Sequence, residues 1–306
     1  MPQFLVSADD REWFHRCRRA WDFGAVARRS LTPSPAWEPS AADSSPDTLG
    51  RAVRDALAIH YFPGMWSWDR AIVDPLVLAA YERAGGPTAG RSLLGAHREW
   101  AAGVDRFTPL RVEVDIDVHV PDPVLPHTHL ATPDGAPVRY RDRIQLVMVD
   151  DDDEIWVGAH RIVREFASDD ELALDERALL QCWAWDEIEL AMTVAGVQYT
   201  ELRVDPPTFR RTGVRHTDAE KTGASTRLGR TALEMLSADL VIAPTPEWSH
   251  CAQCEFRAPC LAMNRGENAE AMLATRYRLR PPDVLEEGRL GGMSWGMGRG
   301  AAPPRL

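Results

Sequence analysis

Apolar residues recur at helical spacing from Arg11 to Phe23, just after a capping-box-like Ser7-Ala8-Asp9-Asp10, and predict a helix carrying Cys17. A second amphipathic helix is predicted from Leu49 to Tyr61, stopped by Pro63, with two more around 75–84 and 92–103. Then the period changes. Val112, Val114, Ile116, Val118 and Val120 alternate with Glu113, Asp115, Asp117 and His119, which is the pattern of a half-buried strand. A second strand is predicted over Pro137 to Val149 and a third over Ile155 to Val163, and the acidic run Asp150 to Glu154 between them reads as a solvated hairpin tip. Leu172 to Ala195 predicts a long helix, Val197 to Val204 a strand ended by Pro206-Pro207, and about 217–238 a further helix.

Helix, antiparallel hairpin, helix, strand implies an α+β fold with helices flanking a small mixed central sheet. The expected parts are an N-terminal helix (1–30), an exposed Pro- and Ser-rich linker (31–48), the core (49–240), a cysteine-bearing segment (241–265), and a C-terminal helix with a tail (266–306). Gly288 to Leu306 is Gly-rich without periodicity and is expected to be disordered.

The chain has 306 residues and a formal net charge of −11, which argues against a protein that coats nucleic acid generally but leaves room for a local basic groove. Neither a signal peptide nor an eighteen-residue apolar stretch is evident, so a cytoplasmic protein with no membrane partner is expected. Positive charge is almost all arginine. Lys221 is the only lysine, so any chemistry requiring an amine must use it.

Four of the five cysteines sit at opposite ends: Cys17 alone, then Cys251, Cys254 and Cys260 in a C-x2-C-x5-C run beside Pro259. Thiolates are soft ligands, and four converging on one point suit an iron–sulfur cluster or zinc; spacing does not choose between them. A shared site would clip the two ends of the chain together. Cys182, in the middle of a predicted helix, reads as a core residue.

With the cysteines, this core resembles the PD-(D/E)XK nuclease superfamily, in particular its RecB-like branch with an iron–sulfur cluster (AddB C-terminal nuclease and CRISPR-associated RecB-like exonuclease type). There one cysteine precedes the nuclease core and three follow it, as Phe14-His15-Arg16-Cys17-Arg18-Arg19-Ala20-Trp21 and the later triplet do here. The resemblance covers roughly residues 7–265 and implies a restriction-endonuclease-like core and a 4Fe–4S cluster on Cys17, Cys251, Cys254 and Cys260. It also implies DNA as partner, at ends or single strands, beside a helicase or a nuclease subunit.

The nuclease motifs carry over incompletely. Gly50-Arg51-Ala52-Val53-Arg54 matches a Gly-x-x-x-His helix with Arg54 in the histidine's place, where a guanidinium can grip phosphate. Val138-Arg139-Tyr140-Arg141-Asp142-Arg143-Ile144 matches the strand with the first catalytic aspartate, Asp142, and places Arg143 as a second candidate nucleic-acid contact. Ile155-Trp156-Val157-Gly158-Ala159-His160-Arg161 stands where Asp/Glu-x-Lys belongs, with Gly158 for the acid and His160 for the lysine. Leu180-Gln181-Cys182-Trp183-Ala184-Trp185 matches the Gln-x-x-x-Tyr helix and keeps Gln181.

Hydrolysis in such a fold needs carboxylates to hold magnesium or manganese, and Asp142 alone binds such an ion poorly. The expectation is therefore a DNA-binding protein with an impaired catalytic centre. Two alternatives stay open. One is an active metal-dependent exonuclease in which Asp142, His160 and Glu113 or Asp115 hold Mg2+ or Mn2+; the other is a zinc-stapled protein-interaction scaffold. Lys221 is a remote candidate for a migrated catalytic lysine, and Asp142 has a plain alternative role as the ion-pair partner of Arg141, Arg143 or Arg161.

Overall fold

The computed structural model describes residues 3–34, 46–125, 127–189 and 192–280. The elements in chain order begin with β1 (Phe4–Ser7), α1 (Ala8–Arg16), α2 (Arg18–Gly24), β2 (Leu31–Pro33), α3 (Pro46–His60), α4 (Arg70–Arg83) and α5 (Ala89–Val104). The meander β3 (Phe107–His119), β4 (Val138–Asp150) and β5 (Ile155–Val163) follows, then α6 (Asp169–Ala173), α7 (Glu176–Ile188), β6 (Val194–Arg203) and β7 (Thr208–Arg215). Last come α8 (Asp218–Met235), α9 (Trp248–Cys251), α10 (Arg257–Asn264), α11 (Ala269–Arg276) and β8 (Tyr277–Leu279).

The alternating residues form a mixed sheet. β3, β4 and β5 pair antiparallel, the chain crosses over through α6 and α7, and β6 returns parallel to β5 before turning into antiparallel β7. β4 is the hub. β3 occupies one of its edges from Arg139 to Asp150. Its other edge is divided: β1 pairs in parallel with residues 138–141, and β5 pairs with Leu146 to Val149. Residues 142–145 lie between, without a strand partner on that edge.

Alternation sends Val147 to one core and its neighbours Leu146 and Met148 to the other, and it breaks between Ile144 and Leu146, which are two residues apart yet face opposite cores. Leu146 and Met148 join Trp156, Leu202 and the apolar faces of α3, α4 and α5. Ile144 and Val147 join Val157, Val197 and the inner faces of α1, α2, α7 and α8. Trp21 and Trp185 are buried in this second core, Trp183 lies within it, and Cys182 is buried there as expected of a core residue. The structure is thus a mixed α+β fold with helices on both sides of a central sheet.

The helix predicted through Cys17 is broken there. Cys17 has extended backbone, capping α1 at its end and starting α2. The bend lets Phe14 and Trp21 meet edge to face with ring centroids 5.0 Å apart, whereas seven residues of straight helix rise roughly 10.5 Å. The helix predicted over Leu172 to Ala195 is likewise two helices. Ser168 and Glu171 form a capping box on α6, Asp175 caps α7, and the chain is already strand by Val194. β7 escaped prediction because an arginine-rich, half-exposed edge strand has little apolar alternation.

Part of the predicted linker is ordered: β2 pairs with β8 as a second, two-stranded sheet. Residues 35–45 of that linker and the predicted tail fall outside the described residues. The head and the tail of the chain also share a small core of Phe23, Phe256, Leu273 and Tyr277, with Arg29 paired to Glu270 at its edge. Lys221 is not a migrated catalytic lysine. Its ammonium is buried and donates to Asp186 Oδ2 at 2.6 Å and to the Val194 carbonyl at 2.9 Å, tying α8 to α7 and β6.

Candidate functional site

Where β4 and β5 part, a cavity of about 210 Å³ opens, and the sequence-predicted Arg54, Arg143, His160 and Gln181 all line it. Two glutamines replace the missing ladder. Gln145 Oε1 accepts from the His160 backbone N–H at 2.8 Å, and Gln181 Nε2 donates to the Arg143 carbonyl at 3.1 Å. Backbone polar groups left over in a sheet interior need such partners, so the gap is built into the fold rather than being a local distortion.

Asp142 sits behind this cavity and not in it. Its carboxylate is 3 % exposed and is held by Arg177 at 2.5 and 3.1 Å and by Gln181 Nε2 at 2.9 Å, with the Tyr140 hydroxyl at 3.4 Å. The partner is therefore Arg177, not Arg141, Arg143 or Arg161. A desolvated carboxylate already bound by a guanidinium fork is a poor ligand for magnesium, because the cation would have to displace a charge-assisted pair. Arg177 lacks a place in the nuclease motifs; its position one turn before Gln181, on the face of α7 that covers β4, is the pattern that could have identified it.

Gly158 offers no acid, and the packing leaves little room for one. A Cβ there would stand 3.0 Å from Leu146 Cβ, its cross-strand partner, which is itself buried. Asp115 pairs with Arg143, and Asp117 pairs with Arg139 and Arg141, so both are committed to the strand surface. Glu113 is different. Its backbone is left-handed (φ +49°), its side chain is 7 % exposed, and it lines the cavity 3.8 Å from Arg143. That conformation is uncommon for a glutamate in a strand. The acids of β3 thus divide between a surface role and a cavity role, a split that strict alternation concealed.

His160 stacks on Tyr61 with centroids 5.3 Å apart and lies 6.3 Å from His97, which in turn lies 6.2 Å from His60. Burial pushes His60 down to about 4 and His97 down to about 3, with nearby Arg98 and His60 respectively adding to the effect. His160 is held well below the usual histidine range by burial, then by His97 and Arg211. At neutral pH the three rings are uncharged. Neither ring nitrogen of the fully buried His97 has a hydrogen-bond partner among the described residues. These residues do not fit a magnesium or manganese site: the Asp142 carboxylate is taken by arginine, position 158 is a glycine, and His160 is a neutral ring.

The second feature is at the junction of head and tail. Cys17, Cys251, Cys254 and Cys260 all line one cavity of about 340 Å³ under Trp248 and Phe256. Arg19 Nη1 lies 3.4 Å from Cys260 Sγ, and Cys17 and Cys251 are close enough to Cys254 to help burial raise its thiol pKa. The cysteines share a cavity but do not close on a point: among the described residues no three or more His, Cys, Asp or Glu side chains are arranged to hold a metal ion. The head–tail junction is shown; a four-cysteine metal site joining it is not.

No family model and no curated protein matches the sequence. Among solved structures, the one titled "Crystal structure of SSO0001" is similar at 16 % identity, over 70 % of this chain and 84 % of that one, with a TM-score of 0.33. So weak a likeness assigns neither family nor function. No helix among the described residues is long and apolar enough to cross a membrane.

Two outcomes follow from this geometry. Because folding lowers the pKa of His60 and His97, the unfolded chain takes up protons first; stability is intact above about 6.5 and is lost as pH falls through about 4 and 3, by on the order of 3 kcal/mol per ring. Thermal midpoints measured from pH 7 to 4 should fall, and His97→Phe should flatten that dependence. Replacing Gly158 by Asp should lower stability by about 1–3 kcal/mol in urea titrations, through the clash with Leu146, without conferring magnesium-dependent hydrolysis.

Proposed function

We propose that this chain is a nucleic-acid-binding protein built on a PD-(D/E)XK-like core of the RecB type, in which an arginine pocket has taken the place of the metal-dependent cleavage centre. One observation carries the reading: the cavity in the β4–β5 gap, where the resemblance puts the catalytic groups, is lined by Arg54, Arg143, Arg161 and Arg177. Guanidiniums recognise phosphate oxygens bidentately and keep their charge at every accessible pH. With Asp142 bound to Arg177, the site offers cationic donors to a phosphate backbone and lacks the paired carboxylates that hydrolysis needs.

A 4Fe–4S cluster on Cys17, Cys251, Cys254 and Cys260 completes the reading. Its support is that the four thiols border a single cavity with room for a group larger than one ion; a tetrahedral zinc site instead brings its sulfurs to roughly 3.8 Å of one another. Such a cluster would reinforce the junction of Phe23, Phe256, Leu273 and Tyr277.

Anisotropy titrations with single-stranded and duplex DNA should show binding that weakens with salt. Up to four arginine contacts give a slope in log K against log salt no steeper than about −3 for single strands. No degradation should accompany binding in magnesium or manganese. Divalent-dependent cleavage abolished by Asp142→Ala would replace this reading with an active nuclease, and absence of binding at low salt would remove it.

Anaerobically purified protein should be brown with about four irons per chain. Cys17→Ser should lower the iron content and the unfolding midpoint, whereas Cys182→Ser should leave iron unchanged. Equimolar zinc without iron would favour the scaffold alternative.

A further inference from the structure

A surface that tracks a nucleic-acid backbone spreads its cations along a groove. Here they converge on a pocket. Arg54 comes from α3, Arg143 from β4, Arg161 from β5, and Arg177 with Gln181 from α7, so helices and diverging strands surround one space of about 210 Å³. That is below the volume of about 300 Å³ at which sites for drug-sized ligands begin, and suits a single phosphate with little of its sugar. We propose that this cavity seats the terminal phosphomonoester of a nucleic-acid strand, an inference that rests on the nucleic-acid reading above and specifies which group enters the site.

Two physical arguments select the terminal group. An internal phosphodiester brings chain on both sides, for which about 210 Å³ leaves little room, whereas a terminal phosphate brings it on one. A monoester also carries about −1.5 to −2 charges at neutral pH and three acceptor oxygens, against one charge and two free oxygens for a diester. The lining answers the extra acceptor oxygen with directed donors and not with net charge, since four arginines and two carboxylates, Glu113 and Asp175, line the cavity while three more carboxylates pair with the same guanidiniums. The other acids that orient these guanidiniums, Asp142 and Asp9 on Arg177 and Asp115 on Arg143, do not line the cavity. They hold the donors in place from outside it, as preorganised anion sites require.

Glu113 sets the internal threshold. Its carboxylate borders the pocket near Arg143 on left-handed backbone, with both oxygens shielded from solvent, so its charge opposes an entering dianion across a short distance and not by contact. Removing that charge should favour the phosphate, and removing Arg161, whose ion pair with Asp175 is long at 3.7 Å and whose side chain is 41 % exposed, should disfavour it without unfolding the chain.

The test uses the full chain and one short single-stranded oligonucleotide in three forms, with a 5′-phosphate, a 3′-phosphate or hydroxyls at both ends. Fluorescence anisotropy should show one phosphorylated form binding at least tenfold tighter than the hydroxyl form, and the arm that gains identifies the end. Millimolar inorganic phosphate should remove that gain. Arg161→Gln should reduce the advantage to threefold or less, and Glu113→Gln should enlarge it, with circular dichroism confirming that both variants fold. Equal affinity for the three forms overturns this inference and leaves the nucleic-acid reading standing. No binding of any form overturns both. The wild-type comparison decides the matter even if a variant fails to fold.

Discussion

The divided edge of β4 is the constraint from which the site follows. A single strand pairs with β3 along one side and shares the other between β1 and β5, and its side chains fill both cores of the molecule. β1 runs parallel to β4 and β5 antiparallel, and their registers stop at Arg141 and Leu146 respectively. The interval of residues 142–145 is therefore open, and any polar group there must be satisfied by something other than a strand. Gln145, Gln181 and Arg177 do this, and in doing so fix the wall of the cavity. A feature of topology thereby becomes a feature of chemistry.

The same carboxylate cannot serve a guanidinium and a divalent cation at once. Asp142, desolvated at the back of the gap, needs a positive partner in either case, and Arg177 supplies it with two hydrogen bonds in a fixed plane. Once that pair is in place, an acid at position 158 brings no benefit, and the position packs as glycine against Leu146. A lysine at position 160 would be a desolvated cation beside Arg54 and Arg211, whereas the imidazole there stays neutral and stacks on Tyr61. The Asp142–Arg177 pair, Gly158 and His160 are thus mutually compatible, and each is physically reasonable given the others.

Much of this was legible in the sequence, and the exceptions have identifiable causes. β5 falls where alternation and an acidic turn placed it, and α8 was marked by its helical period; Asp142 and Gln181 were singled out by motif and meet within hydrogen-bond distance. The break at Cys17 was not legible, because Phe14 and Trp21 keep helical spacing on either side of a bend that only their contact explains. The Ser168–Glu171 capping box was present in the sequence but obscured by the apolar residues that continue the helical period beyond it. Arg177 was obscured for another reason, and so was the choice between Glu113 and Asp115, both named as candidate ligands: what matters is which side of a gap they occupy, and a gap between strands has no local pattern. β1 depends on pairing with β4 more than 130 residues away, and the β2–β8 pair on contacts between the ends of the chain.

Those terminal contacts change what an inorganic group would contribute. If only the cysteines joined head to tail, metal binding would have to supply the loop-closure entropy of nearly the whole chain, and folding would wait on it. The structure already closes that loop with Phe256 packed against Trp13, Phe23 and Tyr277, with the β2–β8 ladder, and with the Arg29–Glu270 pair. β1 adds a parallel register to β4, so the segment leading into Cys17 is anchored to the central strand itself. The four cysteines then border one cavity as a consequence of folding instead of its cause. A cluster bound there would find its ligands partly preorganised, and its stabilisation would add to a junction that protein contacts have already made.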